Sequence, residues 1–447
     1  MYILTNGRLI TRDPDARGYY EKGAVVYEGS RIVEVGEEAA LTAKYPQAEK
    51  IDAKGGVIMP ALINAHTHIY SALARGLSIV GNNPTNFLEV LEGTWWAIDR
   101  HLTLEGTRAS ADALYIDCIK QGVTTVFDHH ASYCQIPGSL FQIGESAKKF
   151  GIRSCLCYEV SDRDGEEKCL EAIRENADWI TYCREHNDPM LAAMFGGHAL
   201  FTISDKTFDR MVEANNGRTG YHIHVSEGMN DVYDSLQNYG RRPVQRLQDH
   251  GILGEKTILG HCIHVNTAEM ELIRETGTMV VNNPESNMGN AIGICPVLQL
   301  YKRGILLGMG TDAYTNDMLE SLKVALCSQR SQSCLPNVGW CEVTDMLFKN
   351  NAKIGEKYFP DTLGVLKAGA AADIIVMDYK PFTPFSDENI DGHMIFGMTG
   401  RQCQTTIAAG KLLMKDRELV GIDEEAENAH ILEASRKLWG TLNHREY

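Results

Sequence analysis

The chain has 447 residues, enough to bury a large core, and its hydrophobic and charged contents of 44% and 23% are those of an ordinary globular protein. Its formal charge of −16 argues against a nucleic-acid-binding protein and against docking on an anionic membrane. No stretch approaches the roughly 20 apolar residues that cross a bilayer, and the N-terminus does not read as a secretory signal. Because the twelve cysteines are scattered, we expect reduced thiols and a cytoplasmic protein.

The chain begins with short strands and then alternates between strand and helix. Roughly the first 55 residues predict strands at Tyr2–Leu4, Gly23–Tyr27 and Arg31–Val35, separated by turn residues. Eight apolar strand cores follow, with helix-patterned segments such as Thr103–Gln121 between them. The predicted cores are Gly56–Asn64, Val123–Asp128, Ile152–Val160, Leu191–Thr202, Gly220–Val225, Thr257–His264, Gly277–Asn282 and Gly304–Gly310. This alternation predicts an α/β fold, a TIM-like (β/α)₈ barrel.

The C-terminal part returns to strand character. Leu363–Asp378 and Thr405–Leu413 read as strands, and a terminal helix is expected over Glu424–Leu442. We therefore predict a small β-sandwich domain formed from both chain ends, residues 1–56 and 361–447, around a barrel of residues 57–360.

The run Met59–His68 ends in two histidines separated by one residue. Alternate side chains of a strand point to the same face, so His66 and His68 point the same way. At the C-terminal end of a barrel strand that face is where active sites collect. Two imidazoles aimed at one point are half of a metal site, although a lone His-x-His pair is as readily structural.

Four more polar residues follow other predicted strands: His224, Glu227, His261 and Asp312. Imidazole and carboxylate together suit a borderline cation such as zinc or Fe(II). We expect the histidine pair, His224 and Asp312 to bind one metal ion that activates water. Glu227 is then placed as the proton shuttle, and His261 as the group that orients the hydroxide or the developing oxyanion. Taken singly, each of these residues also has a plain interpretation as a helix cap.

This set resembles the amidohydrolase superfamily, in particular the branch that holds cytosine and guanine deaminases, adenosylhomocysteine-type deaminases and triazine hydrolases. The resemblance covers nearly the whole chain. It implies the same ligands, with Glu227 as the acid/base and His261 as the partner of the hydroxide. In the reaction that we expect, Asp312 also helps to move a proton to the leaving group. Binuclear members carry a carboxylated lysine on strand 4; residues 189–204 hold no lysine, so one ion is expected. The chain departs from the usual motifs at Pro60-Ala61 and at His198-Ala199-Leu200, neither of which is a ligand.

The candidates for substrate binding each have a structural alternative. By resemblance His198 contacts substrate; otherwise it is a hydrogen-bonded strand-end histidine. Asp99 occupies the place of a substrate-binding carboxylate in related deaminases, or is an exposed helix residue. Ser286 and Asn287 hydrogen-bond ring substituents, or only close a turn.

Three other histidines are weaker candidates. His129 and His130 end strand 2. Either of them is a candidate for the pocket wall, and the alternative is that both are structural. His222 has the parity of His224 but lies one layer deeper, so we interpret it as a core histidine.

The leading hypothesis is a metal-dependent aminohydrolase, or deaminase, that hydrolyses a C–N bond of an amino-substituted N-heterocycle, purine- or pyrimidine-like. Its cofactor is one divalent ion, zinc first and Fe(II) second. The alternative is a ring-opening cyclic amidohydrolase acting on an oxidised purine, and a third hypothesis is an inactive binding protein of the same fold. The expected partner is a small heterocyclic substrate, with no nucleic acid and no membrane, and homo-oligomer formation is left open.

Overall fold

The computed structural model describes residues 1–447. Its strands are β1 Tyr2–Ile10, β2 Tyr19–Glu28, β3 Arg31–Glu37, β4 Glu49–Asp52, β5 Val57–Pro60, β6 Leu62–Thr67, β7 Val123–His130, β8 Arg153–Tyr158, β9 Leu191–Ala193, β10 Phe195–Ala199, β11 Tyr221–Val225, β12 Ile258–His261, β13 Met279–Asn282, β14 Leu307–Met309, β15 Ile374–Met377, β16 Cys403–Ala408, β17 Lys411–Lys415 and β18 Glu418–Leu419.

Its α-helices are α1 Glu38–Lys44, α2 Phe87–Val90, α3 Trp96–Asp99, α4 Leu104–Lys120, α5 Ser139–Phe150, α6 Glu166–His186, α7 Asp205–Asn215, α8 Met229–Tyr239, α9 Pro243–Asp249, α10 Thr267–Thr276, α11 Pro284–Gly289, α12 Val297–Lys302, α13 Met318–Ser333, α14 Trp340–Asp345, α15 Asn351–Gly355, α16 Ile390–Gly397 and α17 Glu424–Asn443. No helix combines the length and the apolar composition that a bilayer crossing requires.

Strands from both chain ends form one nine-stranded sheet. Its order is β18-β17-β16-β15-β5-β1-β2-β3, and β4 pairs with β1. The junction between the two chain ends is β5, which runs parallel to β1 and antiparallel to β15. Strands from the two chain ends therefore share a single hydrogen-bonded sheet, and a separate β-sandwich domain stays a prediction.

The central part of the chain forms two parallel sheets, β6-β7-β8-β9 and β10-β11-β12-β13-β14. Isolated parallel bridges join them at both junctions, Val160 with Gly197 and Thr67 with Asp312. These strands are buried along their whole length, apart from Ala193, as expected when helices cover a parallel sheet. The predicted alternation of strands and helices is confirmed.

Two predicted strands are each divided in the structure. Gly56–Asn64 was expected to be one strand, but β5 belongs to the nine-stranded sheet and β6 to the parallel one. The chain changes sheets at Ala61, whose N–H donates to Asp373 O (3.0 Å), while the N–H of Leu62 donates to Gly122 O (2.9 Å). Leu191–Thr202 likewise divides into β9 and β10, on the two different parallel sheets. The sequence does not show where such a strand divides, because an apolar run is buried equally well in either sheet.

Candidate active site

Four ligand atoms converge at the C-terminal ends of β6, β11 and β14. His68 Nε2 lies 2.8 Å from Asp312 Oδ1 and 3.2 Å from His224 Nε2. His66 Nε2 lies 3.7 Å from the same Asp312 oxygen. All four residues are buried. The structure thus brings together the three histidines and the carboxylate that the sequence nominated as metal ligands.

Hydrogen bonds behind the two β6 histidines turn their lone pairs toward this point. His68 Nδ1 donates to the carbonyl oxygen of His129 (2.6 Å), and His66 Nδ1 lies 2.8 Å from His222 Nε2. Metal-binding histidines characteristically use their second nitrogen in this way. His66 Nε2 is buried and has no hydrogen-bond partner, as expected of an atom whose partner is a metal ion. The donor set therefore fits one divalent cation.

Unusual backbone geometry places these side chains. Ser226, His261 and Asp312 have φ angles of +49°, +68° and +55°, in the left-handed region that non-glycine residues seldom adopt. The N–H of Asp312 donates to His66 O (3.0 Å). Gly310 permits this approach, since a Cβ there would lie 2.7 Å from the His66 carbonyl oxygen. Backbone strain of this kind is typical of functional sites.

Glu227 and His261 lie beside the ligand atoms. Glu227 Oε1 is 3.6 Å from His261 Nε2, which is 4.0 Å from Asp312 Oδ2. Burial and the nearby Asp312 raise the pKa of Glu227 well above its usual range. A carboxyl group so perturbed beside a metal site is suited to take up and release a proton.

Ser286 and Asn287 contact the side chains of Asp312 and His261 instead of lining the cavity. The Ser286 hydroxyl donates to Asp312 Oδ2, and His261 Nδ1 lies 2.7 Å from Asn287 Oδ1. Both residues are buried. These hydrogen bonds orient Asp312 and His261, whereas direct substrate contact by Ser286 or Asn287 stays a prediction.

Asp99 is neither an exposed helix residue nor part of the cavity wall. It is 1% exposed and forms an ion pair with Arg163. The Arg163 guanidinium also lies over the rings of Tyr133 (4.2 Å) and Trp96 (5.0 Å). The predicted substrate contact of Asp99 stays untested, and the structure engages its carboxylate elsewhere.

A cavity of about 30 Å³ opens on the ligand cluster. This holds about two water molecules. The wall comprises His68, Tyr70, Phe87, Leu91, Trp95, Glu159, His198, His224, Glu227, Asn290, Asp312 and Ala313. Phe87, Leu91 and Trp95 come from α2 and from the π-helical turn Leu91–Trp95 that follows it. A neighbouring cavity of about 140 Å³ shares Trp95, Asp312 and Ala313 with this wall.

His198 lines the cavity as expected, and its ring is neutral. Its Nδ1 lies 2.8 Å from Thr202 Oγ1, and burial lowers its pKa to about 3. His130 instead pairs with Ser132 Oγ (3.0 Å) and is not part of the wall. His222 is fully buried behind His66, as a core histidine should be.

The sequence reasoning missed Glu159, which directly follows β8. Its Oε1 lies 3.2 Å from His68 Nδ1 and 3.1 Å from His129 Nδ1. Its position could have indicated it, because Glu159 lies at the end of a strand, as the other site residues do.

Comparison with known proteins gives a consistent picture. The family model described as "Amidohydrolase family" matches residues 57–413, and an "Imidazolonepropionase-like composite domain, bacteria" matches residues 23–48. A 5'-deoxyadenosine deaminase from Methanosarcina mazei is 30% identical over 99% of each chain. A 5-methylthioadenosine/S-adenosylhomocysteine deaminase from Thermococcus sibiricus is 30% identical over 88% of this chain and 90% of its own.

Solved structures share the fold at lower identity. An adenosine deaminase from Xanthomonas campestris with bound zinc gives a TM-score of 0.86, with 22% identity over 98% of both chains. The guanine deaminase of E. coli gives 0.79, with 19% identity over 93% of this chain and 100% of its own. Together with the parallel sheets, these matches confirm the predicted TIM-barrel-like α/β class.

Proposed function

Because the chain belongs to the amidohydrolase family, we propose that it is a metal-dependent aminohydrolase that replaces the amino group of a purine-like heterocycle with oxygen. The observation that carries this proposal is the convergence of His66, His68, His224 and Asp312 next to Glu227. Three imidazoles and one carboxylate suit a single zinc ion, with Fe(II) as the alternative.

The side chains divide the reaction between them. When bound, the ion lowers the pKa of a water molecule so that hydroxide is available near neutral pH. Glu227 takes up the proton and delivers it to the ring nitrogen next to the reacting carbon, which becomes electrophilic. His261, oriented by Asn287, steadies the oxygen as it attacks. Asp312, oriented by Ser286, helps to move a proton to the departing amino group. A C–O bond forms, the C–N bond breaks, and ammonia leaves.

Adenosine-type nucleosides are the first substrates to test. The two relatives at 30% identity are named as deaminases of 5'-deoxyadenosine and of 5-methylthioadenosine or S-adenosylhomocysteine. Each offers a purine amino group of the kind that this chemistry removes. Phe87, Leu91 and Trp95 contribute apolar side chains to the cavity wall, where they would contact such a compound.

The test is an ammonia-release assay on the zinc-loaded protein with 5'-deoxyadenosine, adenosine, adenine, guanine and cytosine, with mass analysis of each product. Deamination releases ammonia and converts the amino carbon to a carbonyl. A product heavier than its substrate by one water, with no ammonia released, would instead identify ring opening. A zinc-replete protein that changes none of these compounds would contradict the proposal.

Several finer features belong to the same proposal. We extend it to a closed barrel of residues 57–360, a β-sandwich built from residues 1–56 and 361–447, and a cytoplasmic enzyme. The bridges at both junctions of the parallel sheets support closure. The pairing of β5 with β1 and β15 supports one unit from both chain ends. Light scattering of the purified protein tests whether it forms a homo-oligomer.

A further inference from the structure

Glu159 is a buried carboxylate that the proposed reaction does not use. It is 1% exposed, and its side chain belongs to the wall of the catalytic cavity. The imidazoles around Glu159 are those of His68, His129, His198 and His224, whereas His261 lies beside Glu227. Glu159 and Glu227 are therefore two carboxyl groups of one cavity, each with its own set of neighbours.

No protein group donates a well-formed hydrogen bond to either oxygen of this carboxylate. Oε1 is buried without a partner although His129 Nδ1 lies 3.1 Å away. The second nitrogen of that ring, Nε2, lies 2.9 Å from the carbonyl oxygen of His222, which can only accept. The Nε2–H of His129 therefore donates to that carbonyl oxygen, and His129 Nδ1, like Glu159 Oε1, is buried without a hydrogen-bond partner.

The second oxygen, Oε2, faces a lone pair. Its nearest ring nitrogen is His198 Nε2, at 3.8 Å. The Thr202 hydroxyl donates to Ala199 O (2.8 Å), so its oxygen accepts from His198 Nδ1–H. His198 Nε2 is consequently an acceptor. Glu159 and His198 together present acceptors to the cavity and no donor.

The cavity wall contains no lysine or arginine that would balance this carboxylate. Its acidic residues are Glu159, Glu227 and Asp312. Arg163, the nearby buried guanidinium, is paired with Asp99. A buried carboxylate without donors is costly unless a bound molecule supplies them. A substrate with its own negative charge would meet repulsion at this wall.

We propose, on the basis of the proposed function, that Glu159 is a substrate-contacting residue that determines specificity. Its carboxylate accepts a hydrogen bond from an N–H or O–H group of the heterocyclic substrate. The site thereby selects uncharged or cationic substrates that carry such a donor and rejects anionic ones. Two sources of the donor share this chemistry, a ring N–H and a sugar hydroxyl, and matched compounds distinguish them.

The experiment separates recognition from turnover by measuring binding to the zinc-loaded Glu227→Gln protein by calorimetry. The compounds are adenosine with 2',3'-dideoxyadenosine, adenine with 9-methyladenine, and adenosine 5'-monophosphate. Each is measured with and without Glu159→Gln. Glu175→Gln is the control, because that buried carboxylate accepts from Gly138 and Leu140 N–H groups away from the cavity.

We expect Glu159→Gln to weaken binding of the donor-bearing member of one pair by about 10- to 100-fold. Its partner without the donor should change about threefold or less. Loss of the effect in the dideoxy compound identifies the sugar hydroxyls, and loss in the methylated base identifies the ring N–H. The monophosphate should bind at least about tenfold more weakly than adenosine, and Glu175→Gln should change nothing.

Three outcomes would overturn the assignment. The first is equal weakening of both members of each pair, and the second is the absence of binding by any compound. The third is loss of zinc in Glu159→Gln, which would make Glu159 only a positioning residue for His68. If the compounds bind but the wild-type protein releases no ammonia from them, the proposed function fails while the contact made by Glu159 is still measured.

Discussion

The ion pair between Asp99 and Arg163 offers a direct test of what Asp99 does. Replacing Asp99 with Asn leaves the Arg163 guanidinium buried, and its remaining carboxylate contact is with Asp164 at 3.4 Å. Removing one partner of a buried ion pair typically costs about 3–5 kcal/mol. With an unfolding entropy of about 2 cal/mol/K per residue, a chain of this length loses about 1 °C of melting temperature per kcal/mol. We therefore expect Asp99→Asn to melt about 3–5 °C lower.

The assay is thermal unfolding of the zinc-loaded protein at pH 8. Arg163→Met should destabilise the protein to a similar extent, since it leaves the Asp99 charge buried instead. The double variant Asp99→Leu/Arg163→Met should recover most of the loss, because no unpaired charge remains.

A different result would refute this reasoning. If Asp99→Asn keeps the wild-type melting temperature but raises KM, its carboxylate is free to bind substrate, as the resemblance to deaminases suggested. Additive losses in the double variant would show that the two side chains act independently.

Four further predictions address the site and its surroundings. Glu227→Gln should keep one zinc per chain by mass spectrometry but lower kcat by about 10²- to 10⁴-fold, and full turnover would exclude the shuttle role. His66→Ala should lower bound zinc, whereas unchanged stoichiometry would remove it from the ligand set. Asn287→Ala should lower kcat with zinc retained, since it frees the His261 ring, and a change in KM alone would favour direct substrate contact. Burial raises the pKa of Glu285 from 4.5 to about 7. The folded state therefore binds this proton more tightly than the unfolded chain, and stability falls as the pH rises between these values. In urea unfolding, Glu285→Gln should be about 3 kcal/mol more stable than wild type at pH 8 and almost equal to it at pH 4.5.

Much of the catalytic centre could be predicted because strand geometry is local. In His66-Thr67-His68 the period of two places both rings on one face, and the C-terminal ends of parallel strands gather at one edge. The same rule located His224, His261 and Asp312. It also applies to Glu159, but a single carboxylate after an apolar strand carries no spacing partner, so nothing marked it.

The remaining features depend on long-range packing. The pairing of Asp99 with Arg163 joins residues 64 positions apart and was not visible in either local sequence. The division of Gly56–Asn64 into β5 and β6 depends on Asp373 and Gly122, which receive the N–H groups on either side of the change. Ser286 and Asn287 were found as site residues, but only tertiary structure shows that they contact Asp312 and His261.

The left-handed backbone at Ser226, His261 and Asp312 lowers the stability of the folded chain while it positions side chains of the proposed active site. Each such residue costs about 1–3 kcal/mol that glycine would largely recover. Substitutions that make the folded chain more robust are therefore available at the very positions that perform the chemistry. Selection for thermal stability alone would favour glycine at these positions and yield a more stable protein without activity. A glycine at position 261 or 312 would relieve the backbone but remove the imidazole or carboxylate that reaches the ligand cluster.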